Sequence, residues 1–195
     1  MSVAVCLDMK DLVDLYGCRY FVETGGGDGA GVDQAQGAGF AQLYSIERDH
    51  ARAITTAFRH APNRAITIIH GRPERGLKEA LGELPAGDAV LFHLNAPLRE
   101  DELRAAETLR QLPLERQLRL IAEARDPARD VFVIDALRRY EDGAFEAGPC
   151  RAEDRPSTEL RDLGFVDRLL GRTHRLERLY RGAGALHAYP LGRRL

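Results

Sequence analysis

Arg19-Tyr20-Phe21-Val22-Glu23-Thr24-Gly25-Gly26-Gly27-Asp28-Gly29 is the stretch on which the reading of the whole chain turns. Arg19–Thr24 alternates and is rich in aromatic and β-branched residues, so it reads as a strand. The glycines that follow let the main chain bend sharply and come close to a ligand, because no Cβ intrudes. A tight strand-to-helix turn with no ligand is the plainer alternative. Four glycines within Gly25–Gly29, directly behind the strand-end acid Glu23, favour a binding loop. A second acid, Glu47, ends the next apolar run, 18 residues beyond Gly29. A carboxylate at that place can accept both hydrogen bonds of a ribose diol.

Working outward, short apolar runs alternate with longer helical patterns, the signature of a parallel sheet covered by helices. Strands are expected at Leu43–Glu47, Ile66–His70, Ala89–Leu94 and Val131–Asp135. Helices are expected at Val32–Ala38 with Gly39 as its cap, from Asp49 to His60, and over Glu74–Glu83. A further helical stretch, Asp101–Ala124, is divided at Pro113. Leu114, Leu118 and Ile121 share one face of its second piece. Glu141–Thr158 holds Gly143, Gly148, Pro149 and Pro156 and reads as a long loop. A helix over Leu160–Leu170 follows. His174–Arg181 and Ala185–Pro190 flank Gly182-Ala183-Gly184, which predicts an antiparallel hairpin. The expected architecture is a single α/β domain over residues 1–195. It is a doubly wound, mostly parallel sheet of about seven strands in a three-layer sandwich, ending in that hairpin.

Composition narrows the function classes. The chain has 195 residues, 44% apolar and 30% charged, with a formal net charge of −2. That suits one globular core and excludes a membrane class or a disordered chain. No apolar run approaches the ~18 residues of a membrane span, and Met1–Lys10 lacks the cationic start of a secretory signal. Lys10 and Lys78 are the only lysines among 28 basic residues. Met1–His50 carries net −5 and Arg151–Leu195 net +4, but acids interleave the C-terminal arginines, so a solvated face is expected there. No nucleic-acid partner is evident. Cys6, Cys18 and Cys150 are three in number and form no Cys-x-x-Cys pair, which speaks for a reducing, cytoplasmic setting and against a zinc site or disulfide framework. The six histidines have no metal-ligand spacing, so no metal site is expected.

The glycine loop admits two readings. Gly25-x-Gly27-x-x-Ala30 fits a dinucleotide fingerprint. Glu23-x-Gly25-x-Gly27-x-Gly29 fits the first motif of enzymes that use S-adenosylmethionine (SAM). Charge separates the two. A pyrophosphate is anionic and disfavours an adjacent acid, whereas SAM carries an ammonium and a sulfonium that Glu23 and Asp28 would attract. The hairpin points the same way, since a plain nicotinamide domain would end in another parallel strand.

On these residues the chain resembles the class I SAM-dependent methyltransferases. It is most similar to a bacterial branch marked by Glu-Thr-Gly, Gly-Phe, Tyr-Ser-Ile-Glu, His-Gly-Asp-Ser and Phe-Trp-Leu-Asp-Ala-His. The matching stretches are Glu23-Thr24-Gly25, Gly39-Phe40, Tyr44-Ser45-Ile46-Glu47, His70-Gly71-Arg72-Pro73 and Phe92-His93-Leu94-Asn95-Ala96-Pro97. The resemblance spans about Tyr20 to Asp135. It implies that Glu23, Thr24, Gly25, Gly27, Asp28 and Gly29 hold the methionine end of SAM. Glu47 would take the ribose hydroxyls, with Arg48, Gly71 and Arg72 along the adenine.

Three departures stand out. Arg72 replaces an acid and offers only donors, though its guanidinium could stack on a purine. Asn95 replaces an acid at the end of the fourth strand and cannot serve as a base at neutral pH. Pro97 replaces a histidine. At the fifth strand, Asp135 remains while Ala136 replaces a second acid, so Asn95 and Asp135 are the candidates for handling an acceptor. A divalent cation wants more oxygen ligands than these two supply.

The implied activity is methyl transfer from SAM to a small-molecule or sugar-type acceptor, with Glu141–Thr158 and the N-terminal segment around the acceptor. A non-catalytic binding protein of the same fold is the alternative motivated by Asn95, Pro97 and Ala136. A NAD(P)-dependent oxidoreductase is a third reading. A homo-oligomer stays open. His93, inside an apolar run, reads as a hydrogen-bonded core histidine. His70 and Cys150 are minor candidates, and Arg138-Arg139 and Arg193-Arg194 read as solvated surface.

Overall fold

The computed structural model describes residues 8–95 and 98–192. Along them run α1 (Met9–Tyr16), β1 (Cys18–Thr24), α2 (Ala30–Gln36), β2 (Gln42–Glu47), α3 (His50–His60), β3 (Ile66–His70) and α4 (Pro73–Glu83). Then come β4 (Ala89–Leu94), α5 (Glu100–Leu109), α6 (Pro113–Ala124), β5 (Val131–Asp135), α7 (Gly164–Leu170), β6 (His174–Leu179) and β7 (Ala185–Pro190). The strands form one sheet in the order β3-β2-β1-β4-β5-β7-β6. β1 to β5 pair in parallel, while β7 runs antiparallel to both β5 and β6. This is the doubly wound methyltransferase-type α/β fold, and the described residues place an antiparallel strand beside β5 where the oxidoreductase reading requires a parallel sixth strand. Strand order reverses between β1 and β4, and such a switch point opens a crevice at the carboxyl ends of the strands.

The sheet separates two apolar layers. On one side Val22, Ile46, Phe92, Phe132 and Ile134 pack against α4, α6 and α7 through Leu77, Leu118, Ile121 and Val166. On the other side Phe21, Leu43, Leu91, Val131 and Val133 pack against α1 and α2 through Met9, Leu12, Val32 and Ala35. Successive side chains along a strand point to opposite faces, and these two sets alternate accordingly.

Local chemistry explains most element ends. Asp49 caps α3 by accepting the Arg52 N–H, which holds its carboxyl below the usual range. Pro113 opens α6 in its first turn, where a missing N–H costs nothing. α2 begins and ends two residues earlier than expected, with Gly37 rather than Gly39 as its cap. Only the second half of the expected 160–170 helix forms: residues Thr158–Leu160 make a 3-10 turn, and the Asp162 carboxylate accepts the Gly164 N–H where α7 starts. The segment Glu141–Thr158 is irregular but well tethered. Phe145 is buried against Tyr180, and Arg155 and Arg161 both grip Asp142. The N-terminal segment forms α1, capped by Asp8. Cys6, Ala96, Pro97, Arg193 and Arg194 lie outside the described residues.

Candidate functional site

The face covered by α1 and α2 changes character along its length. Moving toward the carboxyl ends, β2 reads Leu43, Ser45, Glu47, and β1 reads Phe21, Glu23 and then Gly25. β4 reads Leu91, His93 and then Asn95, and β5 reads Val131, Val133, Asp135. Apolar residues anchor the strands in the core, and polar ones gather at the crevice end. The candidate site residues Glu23, Glu47, Asn95 and Asp135 therefore share one face by simple alternation.

A cleft of about 190 Å³ opens there, lined by Gly25, Gly27, Ile46, Glu47, Arg48, Asp49, Arg52, Pro73, Arg99 and Glu102. Glu47 spans its floor: one carboxylate oxygen accepts the Gly27 N–H at 2.6 Å, the other the Asp49 N–H at 2.6 Å. An ionised carboxylate has about four acceptor positions, so Glu47 retains capacity for a ligand's hydroxyls. Gly25 and Gly27 adopt positive φ (76° and 57°), where other residues are strained. Arg48, on the cleft lining, pairs with Asp101 at 2.7 Å and Glu102 at 3.4 Å, and Arg72 also reaches Asp101, at 3.5 Å. Gly71 closes the end of β3 through its N–H to the Glu47 carbonyl.

Glu23 lies beneath the loop rather than on the cleft wall. It is 3% exposed and accepts the Ser45 hydroxyl at 2.6 Å. The loop wraps so closely over it that a Cβ on Gly31 would stand 2.0 Å from its carboxylate, and one on Gly26 would stand 2.1 Å from Ser45 Oγ. Thr24, one residue on, faces the opposite layer and donates to Gln117 of α6. Asp28 is exposed, and its carbonyl accepts from Arg59; Gly29 lies against Thr56 and Arg59 of α3.

At the other end of the crevice, Asn95 continues β4, its N–H donating to the Thr24 carbonyl. Asp135 ends β5 with its side chain 8% exposed and receives His93 Nε2 at 2.7 Å. The other ring nitrogen of His93 stands 3.8 Å from Glu23. Burial opposes charge on this imidazole, but the Asp135 hydrogen bond and the Glu23 carboxylate outweigh it and hold its pKa up to about 10. Three separately weighed residues thus form one buried cluster. The link was hidden in the sequence because it depends on β1 and β5 flanking β4. The signal that could have shown it is a polar residue on the same face near the end of each of three apolar strands, Glu23, His93 and Asp135.

The minor candidates fall elsewhere. His70 is exposed, its ring edge-on to His50 at 4.8 Å. Cys150 sits in the tethered loop, and Arg138 donates to the Ala147 and Gly148 carbonyls. Among the described residues, no group of three histidines, cysteines or acids is placed to hold a metal ion, and no helix is long and apolar enough to cross a membrane.

No family model matches the sequence, and no curated protein matches it. Solved structures do. An O-methyltransferase from Bacillus cereus, in complex with SAH, is 15% identical at a TM-score of 0.58, over 93% of this chain and 78% of that one. TomG, an O-methyltransferase of Streptomyces achromogenes involved in tomaymycin synthesis and solved with SAM, is 18% identical at 0.58, over 94% and 78%. SAH-bound PaMTH1, a methyltransferase of Podospora anserina, is 13% identical at 0.59, over 93% and 76%. At such low identity these likenesses speak for the fold, and the chain has the fold of these methyltransferases.

Proposed function

We propose that the protein is a SAM-dependent methyltransferase acting on a small-molecule acceptor. The observation that carries this reading is the cleft itself: glycine backbone on one side and the Glu47 carboxylate across its floor, at the switch point of a methyltransferase-type sheet. The residues suit SAM on two grounds. Gly27 has only the Gly25 carbonyl within 4 Å of where a Cβ would stand, at 3.9 Å, so the loop is open above. At the bend itself the charged neighbours are carboxylates, Glu47 bonded to the Gly27 N–H and Glu23 beneath Gly31, which disfavours a pyrophosphate there; along the rest of the lining Arg48, Arg52 and Arg99 balance Asp49 and Glu102.

Glu47 would accept the ribose hydroxyls, the glycine N–H and C=O groups would meet the amino-acid tail, and Arg48, Gly71 and Arg72 would border the adenine. Bound there, SAM would supply a methyl group already activated by its sulfonium. What the chain then contributes is proximity and orientation. Asn95 can hydrogen-bond an acceptor, and Asp135 can accept from one while His93 fixes its other side. Calorimetric titration of the folded chain with SAM and with SAH tests the reading; saturable heat from both is the expected result, and none from either overturns it.

One observation favours a second reading, a binding protein of the same fold. Asp135, the acid expected at the acceptor, is already engaged by His93 and is almost wholly buried. Methyl transfer by the unaltered chain to any acceptor in a radiolabelled panel would exclude that reading.

A further inference from the structure

His93 is central to the sheet and is not used by the cofactor reading. Register places it level with Glu23 on β1 and with Val133 on β5, and Asp135 lies two residues further along the same face. Its ring fills the gap between the two carboxylates, with Nε2 at 2.7 Å from Asp135 and Nδ1 at 3.8 Å from Glu23. Nδ1 is buried with no hydrogen-bond partner. A neutral ring would turn a lone pair toward one of two anions, whereas a doubly protonated ring offers an N–H to each. The flanking groups do not compete. Ser45 satisfies the far oxygen of Glu23, and Phe21 lies beside the ring at 6.3 Å between centroids. His187, level with Val133 on β7, hydrogen-bonds Tyr189 and is kept neutral by burial, with Glu177 of β6 beyond it.

We infer that His93 is a positioning residue: as an imidazolium gripped by Glu23 and Asp135, it ties the carboxylate beneath the glycine loop to the carboxylate at the end of β5. This rests on the methyltransferase reading of the cleft and extends it. The two halves of the site, the bend that receives one ligand and the strand end that receives the other, share a single ionic link. Gly26 and Gly31 rest on Glu23 with no room for a Cβ. Moving Glu23 therefore moves the loop, and Glu23 is held in part by the ring.

The experiment uses the full chain with SAH as probe. Long-range proton–nitrogen NMR spectra assign the His93 ring by its loss in His93→Gln. At pH 7.5 both ring nitrogens are expected to carry protons, with titration displaced well above the ordinary histidine range. In Asp135→Asn that titration is expected to fall. SAH affinity is expected to drop about fivefold or more in both variants, although neither residue lines the cleft. A purely structural histidine would lower thermal stability and leave both the charge state and the SAH affinity of the folded fraction unmoved. A ring that titrates near the ordinary value, or unchanged SAH affinity in a folded variant, overturns the inference. If His93→Gln does not fold, Asp135→Asn gives the same readouts with the ring in place. If the unaltered chain takes no SAH, the cofactor reading fails on its own. The ring's protonation and its response to Asp135→Asn then decide whether the ionic link exists.

Discussion

Glu47 and His93 do opposite things with buried charge. Glu47 spends two acceptor positions on backbone N–H groups and keeps the rest facing the cleft. Replacing it with alanine removes acceptors from a ligand's hydroxyls and orphans the Gly27 N–H. Hydrogen bonds to charged groups are worth about 1.5–3 kcal/mol, so Glu47→Ala is expected to weaken SAH binding roughly ten- to a hundredfold by calorimetry; unchanged affinity would remove Glu47 from the site. His93 keeps its proton up to about 10 in the folded chain, whereas the unfolded chain releases it near 6.5. The stabilisation it brings is complete below about 6.5 and is lost as pH climbs toward 10. Urea midpoints should therefore fall over that window, and His93→Gln should flatten the fall. A wild-type midpoint indifferent to pH between 7 and 10 would contradict the charge assigned to the ring.

Among elements, the exit from β5 holds a non-glycine residue at positive φ. Ala136 adopts φ 57° and ψ 44°, a left-handed conformation that costs an L-residue roughly 1–2 kcal/mol. It persists because the next N–H, of Leu137, is bonded to the Gly184 carbonyl at the hairpin turn. Ala136→Gly relieves the strain at some entropic cost. The net expectation is a gain of about 0.5–1 kcal/mol, seen as a melting temperature higher by roughly 1–4 °C; a lower melting temperature would show that no strain is stored there. The elements also show what the sequence revealed. β3, β4 and β5 match their expected bounds because each is a short apolar run closed by a polar residue, and the cap at Asp49 is a local signal. α1 is missing from the expected elements although its eight residues carry local signals: Asp8 caps its start, Gly17 closes it in a left-handed conformation, and Met9, Leu12, Val13 and Tyr16 recur at helical spacing. The glycine loop and Glu47 were legible as motifs. The His93 bridge was not, because it is made by strands far apart in sequence that topology sets side by side.

At the scale of the molecule, the end of the sheet opposite the cleft is locked by a second buried ion pair. Arg125 at the end of α6 meets Asp130 through Nε at 3.0 Å and Nη2 at 3.1 Å, and Asp130 also accepts the Val90 N–H at 3.0 Å. Burial raises the Asp130 carboxyl and outweighs the guanidinium and the N–H, which pull it down, leaving it at about 7. Three donors around one carboxyl group are the geometry of an ionised acid. Breaking such a pair leaves an uncompensated buried charge and costs about 3–5 kcal/mol. Asp130→Ala should lower unfolding stability by that order in denaturant titration, while SAH affinity, measured on the folded chain, stays as it was. Loss of SAH binding in a folded Asp130→Ala protein would mean that the two ends of the sheet are coupled.

The level that crosses the strands, polar at Ser45, Glu23 and His93, apolar at Val133, and polar again at His187 and Glu177, also bears on how the chain finds its pairing. A strand shifted by a single step presents its alternate side chains to each layer. Glu23 or His93 would then be driven among Phe132, Ile121 and their aliphatic neighbours, with no counter-ion in reach. A sheet built of interchangeable aliphatics could settle into several alignments; this one carries an ionic tally mark that only the correct alignment can close.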